Sequence, residues 1–573
     1  MNISRFTKQR GALLGSLAII LLALVVACGS PATPPPPQIV KETVVVQQDA
    51  TRLVEATKIV EKVVTATPEP PKFSTGDTLV IASTAASQEE PFSPFYCNSG
   101  RCYMPMGTLM LGLTNHNDKG QPVPSIAEKW EANAKADVWT FHINPKAVWS
   151  DGTPITAQDA AFTYKTGLHP DVGGKMLNQA NLLQIKGAKA YNEGKAQDIE
   201  GIKVVDDKTI EFTLEAPSST FVNELWQGLV PMHIFKDVPL KEMKTNPLNV
   251  NGPTVVSGPL KLVNLKDGGN LVETAKNEKY WGKPVAFEKV IFKALNDDAA
   301  AAAVEAGEIE YGRIPATEIK RLGTLPQLET VLSSVDLFYD WVVNTRKPYL
   351  QDKRVRQALA YALDRKEILD YAWEGNGLIT LPPFAPDWAA NPKLNPYNTD
   401  VAKTKALLQE AKWDPNQKIV LMVGPWPDNV KPAEITHAQW TKAGINVEVR
   451  LIAGSAWSTE MAANDWDIGM IGGFYGADPS QFANDFVSSG FRSQVTGWKS
   501  DELDKLAKEG VSTTNLDERK KVYDRIGEIV NDEVPQIPLY ATGTPWAINK
   551  GLKGVKPPGN WFFFAWNISD WSR

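Results

Sequence analysis

The chain has 573 residues, 43% of them hydrophobic and 22% charged, and a formal net charge of −6. That balance belongs to a folded globular protein and excludes a disordered one, and the acidic excess argues against a nucleic-acid binder, whose contact face is basic. The length suits several domains or one large multi-lobed body with an ample core.

Arg5, Lys8 and Arg10 form a basic head, and the run from Ala12 to Ala27 is almost wholly apolar. A basic head before a short apolar run is the pattern of an export signal; a retained span takes about 20 apolar residues, so this run is marginal for one. It ends in Val25, Val26, Ala27 and Cys28, which resemble the bacterial lipobox. There, small residues expose the bond before a cysteine whose thiol takes a diacylglycerol thioether. The alternative is an ordinary signal peptide or a retained helix with an incidental cysteine. Residues 1–27 are expected to be a lipoprotein signal peptide and Cys28 the lipidated residue, tethering the chain on the extracytoplasmic side of the cell membrane. Residues 28–76 are expected to be a linker. Pro31 and Pro34 to Pro37 make its first part a stiff, extended spacer. Leu53, Ala56, Val60 and Val63 have heptad-like spacing, but the β-branched Val and Thr around them favour a linker over a stalk helix.

After Cys28 the only cysteines are Cys97 and Cys102, in "YCNSGRC". In an exported chain such a pair is expected to close a small disulfide loop. A metal clasp with His116 does not match a zinc spacing, so neither metal nor cofactor is expected. Catalytic patterns are also missing. His116, His142, His169, His233 and His437 stand singly, and no nucleophile elbow occurs. "HPDVGGKM" fails as a phosphate loop because His169 replaces its first glycine and Met176 its hydroxyl residue. Carboxylates are plentiful, and spacing alone neither pairs nor separates them. No enzyme activity is expected.

Farther along, Trp139, Phe141 and Ile143 alternate, which predicts a half-buried strand, and Asp151-Gly152 marks a turn. Thr156 stands three residues before Asp159 at the head of "AQDAAFTYK", a helix-capping spacing. Ile210, Phe212 and Leu214 alternate again. In "DKRVRQALAYALDRKEIL", Val355, Ala358, Leu359 and Ala362 share a helical face behind Asp352 as N-cap, and Asp364 with Glu367 starts a second helix. Strands and helices interleave, so a mixed α/β fold is expected.

In this order, "PSIAEKWEANAKADVWTFHINPKAVWSDGTPITAQD", "SGPLKLVNLKDGGNLVETAKNEKYWGKP", "NTRKPYLQDKRVRQALAYALDRKEIL" and "NDWDIGMIGGFYGADPSQF" resemble the family-5 extracellular solute-binding proteins, the peptide/nickel class of bacterial ABC importers. The resemblance covers about Asp77 to Arg573. It implies an α/β cluster-C (type II) periplasmic-binding-protein fold of three lobes, with the ligand cleft between lobes one and three. Lobe one would comprise 77–118, 205–315 and 540–573, lobe two 119–204, and lobe three 316–539. Function would follow from closure around a small solute, driven by its greater affinity for the closed state. The closed receptor, a monomer, would dock on an ABC permease whose ATPase subunits supply the energy.

The resemblance also implies site residues. Trp457 falls on the family's cleft aromatic in "GSAWSTEM", Tyr339 and Trp341 on the strand "VDLFYDWVVN", and Phe474, Tyr475 and Asp478 on the loop "GGFYGADPSQF". Trp341 could equally be core, and Asp478-Pro479 could simply shape a turn. The loop departs from the family pattern, in which an aspartate captures a peptide's α-amino group: Gly473, Phe474, Tyr475 and Gly476 include no acid. Acetylating a peptide's amine is therefore expected to change little. An oligopeptide or peptide-like ligand is the first expectation. An oligosaccharide stacked on some of the 18 tryptophans is the second, and a secreted hydrolase or structural lipoprotein the last.

Overall fold

The computed structural model describes residues 76–85, 90–173, 176, 179–333, 337–381, 387–475, 478–559 and 563–573. All lie within one compact unit, Pro71–Arg573. Cys28, the export signal and residues 28–75 of the linker are outside the described residues. Among the described residues no helix is long and apolar enough to cross a membrane.

Strand β1 (Thr78–Thr84) leads to helix α1 (Gly100–Leu109) and the pair β2 (Thr114–His116) and β3 (Pro122–Pro124). Next come β4 (Ala127–Ala132), β5 (Val138–Ile143), helix α2 (Ala157–Leu168), β6 (Ile202–Asp206) and β7 (Thr209–Thr213). These four strands form an antiparallel sheet in the order β4-β5-β7-β6. The chain continues through β8 (Leu260–Lys266), β9 (Leu271–Lys276), β10 (Lys289–Leu295), α3 (Asp297–Glu305), β11 (Tyr311–Arg313) and β12 (Leu328–Leu332). It then enters β13 (Leu337–Val343), followed by α4 (Lys353–Tyr361), α5 (Arg365–Trp373), α6 (Val401–Glu410), β14 (Lys418–Val423), α7 (Pro427–Ala443) and β15 (Asn446–Leu451). Last come α8 (Trp457–Ala463), β16 (Ile468–Phe474), α9 (Ser480–Phe486), α10 (Phe491–Thr496), α11 (Asp501–Gly510), α12 (Leu516–Glu533), β17 (Gln536–Thr542) and β18 (Pro545–Asn549).

Two larger sheets result. One has seven strands in the order β12-β18-β11-β1-β10-β9-β8, the other five in the order β15-β14-β16-β13-β17. The chain passes from the first to the second between β12 and β13 and returns between β17 and β18. The two crossings lie side by side: Ser333 N–H donates to the Thr544 carbonyl (3.0 Å), and Thr544 N–H donates to Ser333 Oγ (2.9 Å).

The local patterns read from sequence explain many of these elements. Trp139, Phe141 and Ile143 are the buried face of β5, and Ile210 and Phe212 that of β7. The Asp159 carboxylate accepts the Thr156 N–H (2.8 Å) at the start of α2. Asp352 caps α4 by accepting the Arg354 N–H (2.9 Å), and Asp364 caps α5 by accepting the Glu367 N–H (3.1 Å). Val355, Ala358, Leu359 and Ala362 are buried together. Arg356, on the same helix, is buried because its guanidinium is spent on backbone. It donates to the carbonyls of Leu350 (2.8 Å), Gln351 (2.7 Å) and Glu533 (2.7 Å), fixing α4 against the end of α12.

Cys97 and Cys102 are bonded to each other at the start of α1, their Cα atoms 5.4 Å apart. His116 is buried against the Phe563 ring (centroids 4.5 Å apart), and burial lowers its pKa to about 4, so the imidazole is neutral. Among the described residues no group of three or more His, Cys, Asp or Glu side chains could hold a metal ion.

Candidate ligand-binding cleft

Strands β14 and β16 are parallel and β13 is antiparallel to β16, so the C-terminal ends of β14 and β16 share an edge with the N-terminal end of β13. Open α/β sheets form their binding crevices beyond the carboxyl ends of strands. On this edge lies a cavity of about 840 Å³, walled by Tyr339 of β13, Trp426 and Asp428 at the start of α7, Trp457 of α8, Ile471 of β16 and Phe491 of α10.

Tyr339 and Trp341 sit two residues apart on one face of β13, which separates them by about 7 Å along the strand. That distance divides their roles. Tyr339, at the open end, lines the cavity and donates its hydroxyl proton to Asp428 Oδ2 (2.7 Å). Burial, and then the charge of Asp428, raise its pKa well above the tyrosine value, so it remains a donor. Trp341 is fully buried beneath α7 and donates its indole N–H to Thr436 Oγ1 (3.0 Å); it belongs to the core.

Trp457 lines the cavity and meets Trp426 edge to face, with ring centroids 6.2 Å apart and planes at 80°. Trp426 is 44% exposed and Phe491 58%, unusual for large apolar side chains unless something covers them in use. The Trp426 indole lies over two glycines: a Cβ on Gly424 would fall inside its ring's contact distance, and one on Gly454 would stand 3.1 Å from it. Both glycines therefore permit a close approach that fixes the ring.

The loop residues are placed elsewhere. Tyr475 is buried, donates its hydroxyl proton to Asp485 Oδ2 (2.9 Å) and accepts from Arg492 Nε (2.5 Å). Arg492, fully buried, also pairs with the buried Asp340 of β13 (2.9 Å) and donates to Gln536 Oε1 (2.7 Å). Burial pushes Asp340 up to about 6 against the pull of Arg492. Asp478 accepts the Ser480 N–H (3.0 Å) and pairs with Arg519 (2.6 Å), whose guanidinium lies 5.2 Å from the Trp388 ring centroid. It is tied to the fold and does not line the cavity. The backbone of Phe474 pairs with Leu337, and its side chain lies outside the described residues.

The cavity thus gathers Tyr339 and Trp457 and leaves Trp341, Tyr475 and Asp478 in the surrounding structure. Trp426, Asp428 and Phe491 are wall residues that sequence reasoning missed. "GPWPDN" reads as a turn, and only the fold turns its tryptophan toward the cavity.

An α/β body with an aromatic crevice at the carboxyl edge of a sheet is built to hold a solute. The family model for bacterial extracellular solute-binding proteins, family 5, middle region, matches residues 121–494, and the chain belongs to this family. It is 29% identical over 497 residues to the oligopeptide-binding protein OppA of Bacillus subtilis, covering 82% of this chain and 89% of that one. To the dipeptide-binding protein DppE of the same organism it is 27% identical over 520 residues, covering 86% and 93%. The crystal structure of the ABC transporter substrate-binding protein CtaP of Listeria monocytogenes has the same fold. Its TM-score is 0.74 at 23% identity, covering 87% of this chain and 99% of CtaP.

Proposed function

We propose that this chain is the extracytoplasmic receptor of an ABC importer, capturing an oligopeptide or peptide-like solute by cleft closure and delivering it unchanged to the permease. The observation that carries this reading is the 840 Å³ aromatic-walled cavity at the sheet edge, large enough for several residues of an extended ligand. The oligopeptide- and dipeptide-binding relatives support the choice of ligand.

We assign the seven-stranded sheet to lobe one, the four-stranded sheet to lobe two and the five-stranded sheet to lobe three. Sheet membership favours crossings between β12 and β13 and between β17 and β18 in place of the divisions at 315 and 539 expected from sequence, and it carries lobe two through β7 in place of the division at 204. The mutual hydrogen bonds of Ser333 and Thr544 support two adjacent strands that bend as one hinge. Anchoring through a lipid on Cys28 and a monomeric state complete the proposal. An oligosaccharide is the second reading, favoured by the exposed indole of Trp426 and the half-buried one of Trp457 on the cavity wall.

Native mass spectrometry of the purified protein, followed by calorimetry and small-angle scattering with the released ligand, tests this reading. A bound peptide and a more compact liganded state are expected. A sugar ligand would move the protein to the second reading, and the absence of compaction would overturn cleft closure. Detergent phase partitioning should lose its lipid-dependent fraction in Cys28→Ser.

A further inference from the structure

Among the described residues the cavity wall carries one charged side chain. Its other lining residues are apolar, aromatic or neutral polar, Asn429, Ser458, Asn464 and Gln494 among them, and none is a cation. The exception, Asp428, stands in the first turn of α7, where the helix macrodipole stabilises negative charge. Its Oδ2 is held by the Tyr339 hydroxyl, and among the described residues no Lys, Arg or His forms an ion pair with it. A lobe closing over this wall removes water from the carboxylate. A desolvated charge without a partner is costly, so a bound solute that supplies the cation is favoured over one that does not. The indole faces of Trp426 and Trp457 add attraction for a cation beside an apolar group.

Resting on the receptor reading above, we propose that Asp428 is the specificity-determining carboxylate of the cleft, selecting solutes that carry an ammonium group next to an aromatic or large apolar side chain. This replaces the expectation from the acid-free loop 473–476 that blocking a ligand's amine would change little. Asp428 comes from a different element, and sequence order gave no reason to place it in the cavity. The ammonium could be a peptide's α-amine or a lysine-type side chain; both present the same group to Asp428.

Calorimetry on the full chain with three probes tests this: the tripeptide Phe-Ala-Ala, its N-acetyl form, and N-acetyl-Lys-Phe-Ala. At least one ammonium-bearing probe should bind about tenfold or more tightly than acetylated Phe-Ala-Ala, the ratio of a charge-assisted hydrogen bond. Whichever probe that is identifies the source of the amine. Asp428→Asn keeps an acceptor for Tyr339 and removes only the charge. It should cut the ratio to about twofold or less, because the ammonium probe loses its partner and the acetylated one no longer buries an unpaired charge. An undiminished ratio in Asp428→Asn, or no preference in the wild type, overturns the assignment. If no tripeptide binds, the peptide reading fails and 2-phenylethylammonium against 3-phenylpropionate decides this one. A thermal shift with the ammonium alone, lost in Asp428→Asn, supports it, and equal or reversed shifts overturn it.

Discussion

Two tyrosine–aspartate hydrogen bonds flank strand β13 in opposite surroundings. Tyr475 and Asp485 are joined at 2.9 Å, and the Arg492 guanidinium completes them, reaching Asp340 and Gln536 as well. Tyr339 and Asp428 are joined at 2.7 Å, and among the described residues no cation completes them. The two pairs are anchored on successive residues of one strand, Tyr339 facing the cavity and Asp340 the buried network. Strand alternation thus puts a closed electrostatic unit and an open one back to back. A polar cluster whose carboxylates share a buried cation serves the fold, whereas a carboxylate with no cation beside it at a cavity wall is available to a ligand.

The largest expected effect is on the closed unit. Arg492→Met removes the cation from the buried Asp340, and unfolding free energy should fall by about 3–5 kcal/mol in urea titrations at neutral pH. A loss below about 1 kcal/mol would show that the network is dispensable and erase the contrast. On the open side, Trp457→Ala should weaken ligand binding by about 2 kcal/mol or more in calorimetry, as for a buried hot-spot aromatic. The melting temperature without ligand should stay nearly unchanged, because this indole forms cavity wall. Tyr339→Phe frees Asp428 of its orienting donor, and we expect about 1 kcal/mol of lost ligand affinity, the worth of one hydrogen bond. Unchanged affinity would mean that Asp428 needs no positioning.

The smallest effect is a slope. Asp340 has a folded-state pKa of about 6, against about 3.9 for an unperturbed aspartate. The folded state therefore holds the extra proton. This contribution to stability is whole below about pH 4 and is lost as pH rises through about 6. Asp340→Asn should flatten the stability profile across that window, and parallel profiles for variant and wild type would refute the raised pKa.

Elements whose pattern repeats were legible before any coordinates. The alternation in β5 and the capped, one-sided helix α4 each state their burial locally, and the structure follows them. The cavity lining was legible only where one residue faced one environment. Trp457 and Tyr339 line the cavity, but Trp341, on the same face as Tyr339, is covered by α7, a helix that begins only at Pro427, far along the chain. Tyr475 is claimed by Arg492, which stands 17 residues on. Asp428 escaped notice because it stands in the first turn of α7, where an acidic residue already has a structural reason to be. Such roles depend on what lies across a gap in space, and residue spacing does not carry that information.

Trp426 keeps its place because Gly424 and Gly454 leave room beneath its ring. Those two positions thus govern ligand range from underneath, through a side chain they do not possess. A descendant carrying Gly424→Ala would retain every wall residue, yet its indole would have to move and the corner would accept a different shape. The shape of this corner is thus set partly by two residues outside the cavity lining, and two chains with identical linings need not present the same corner.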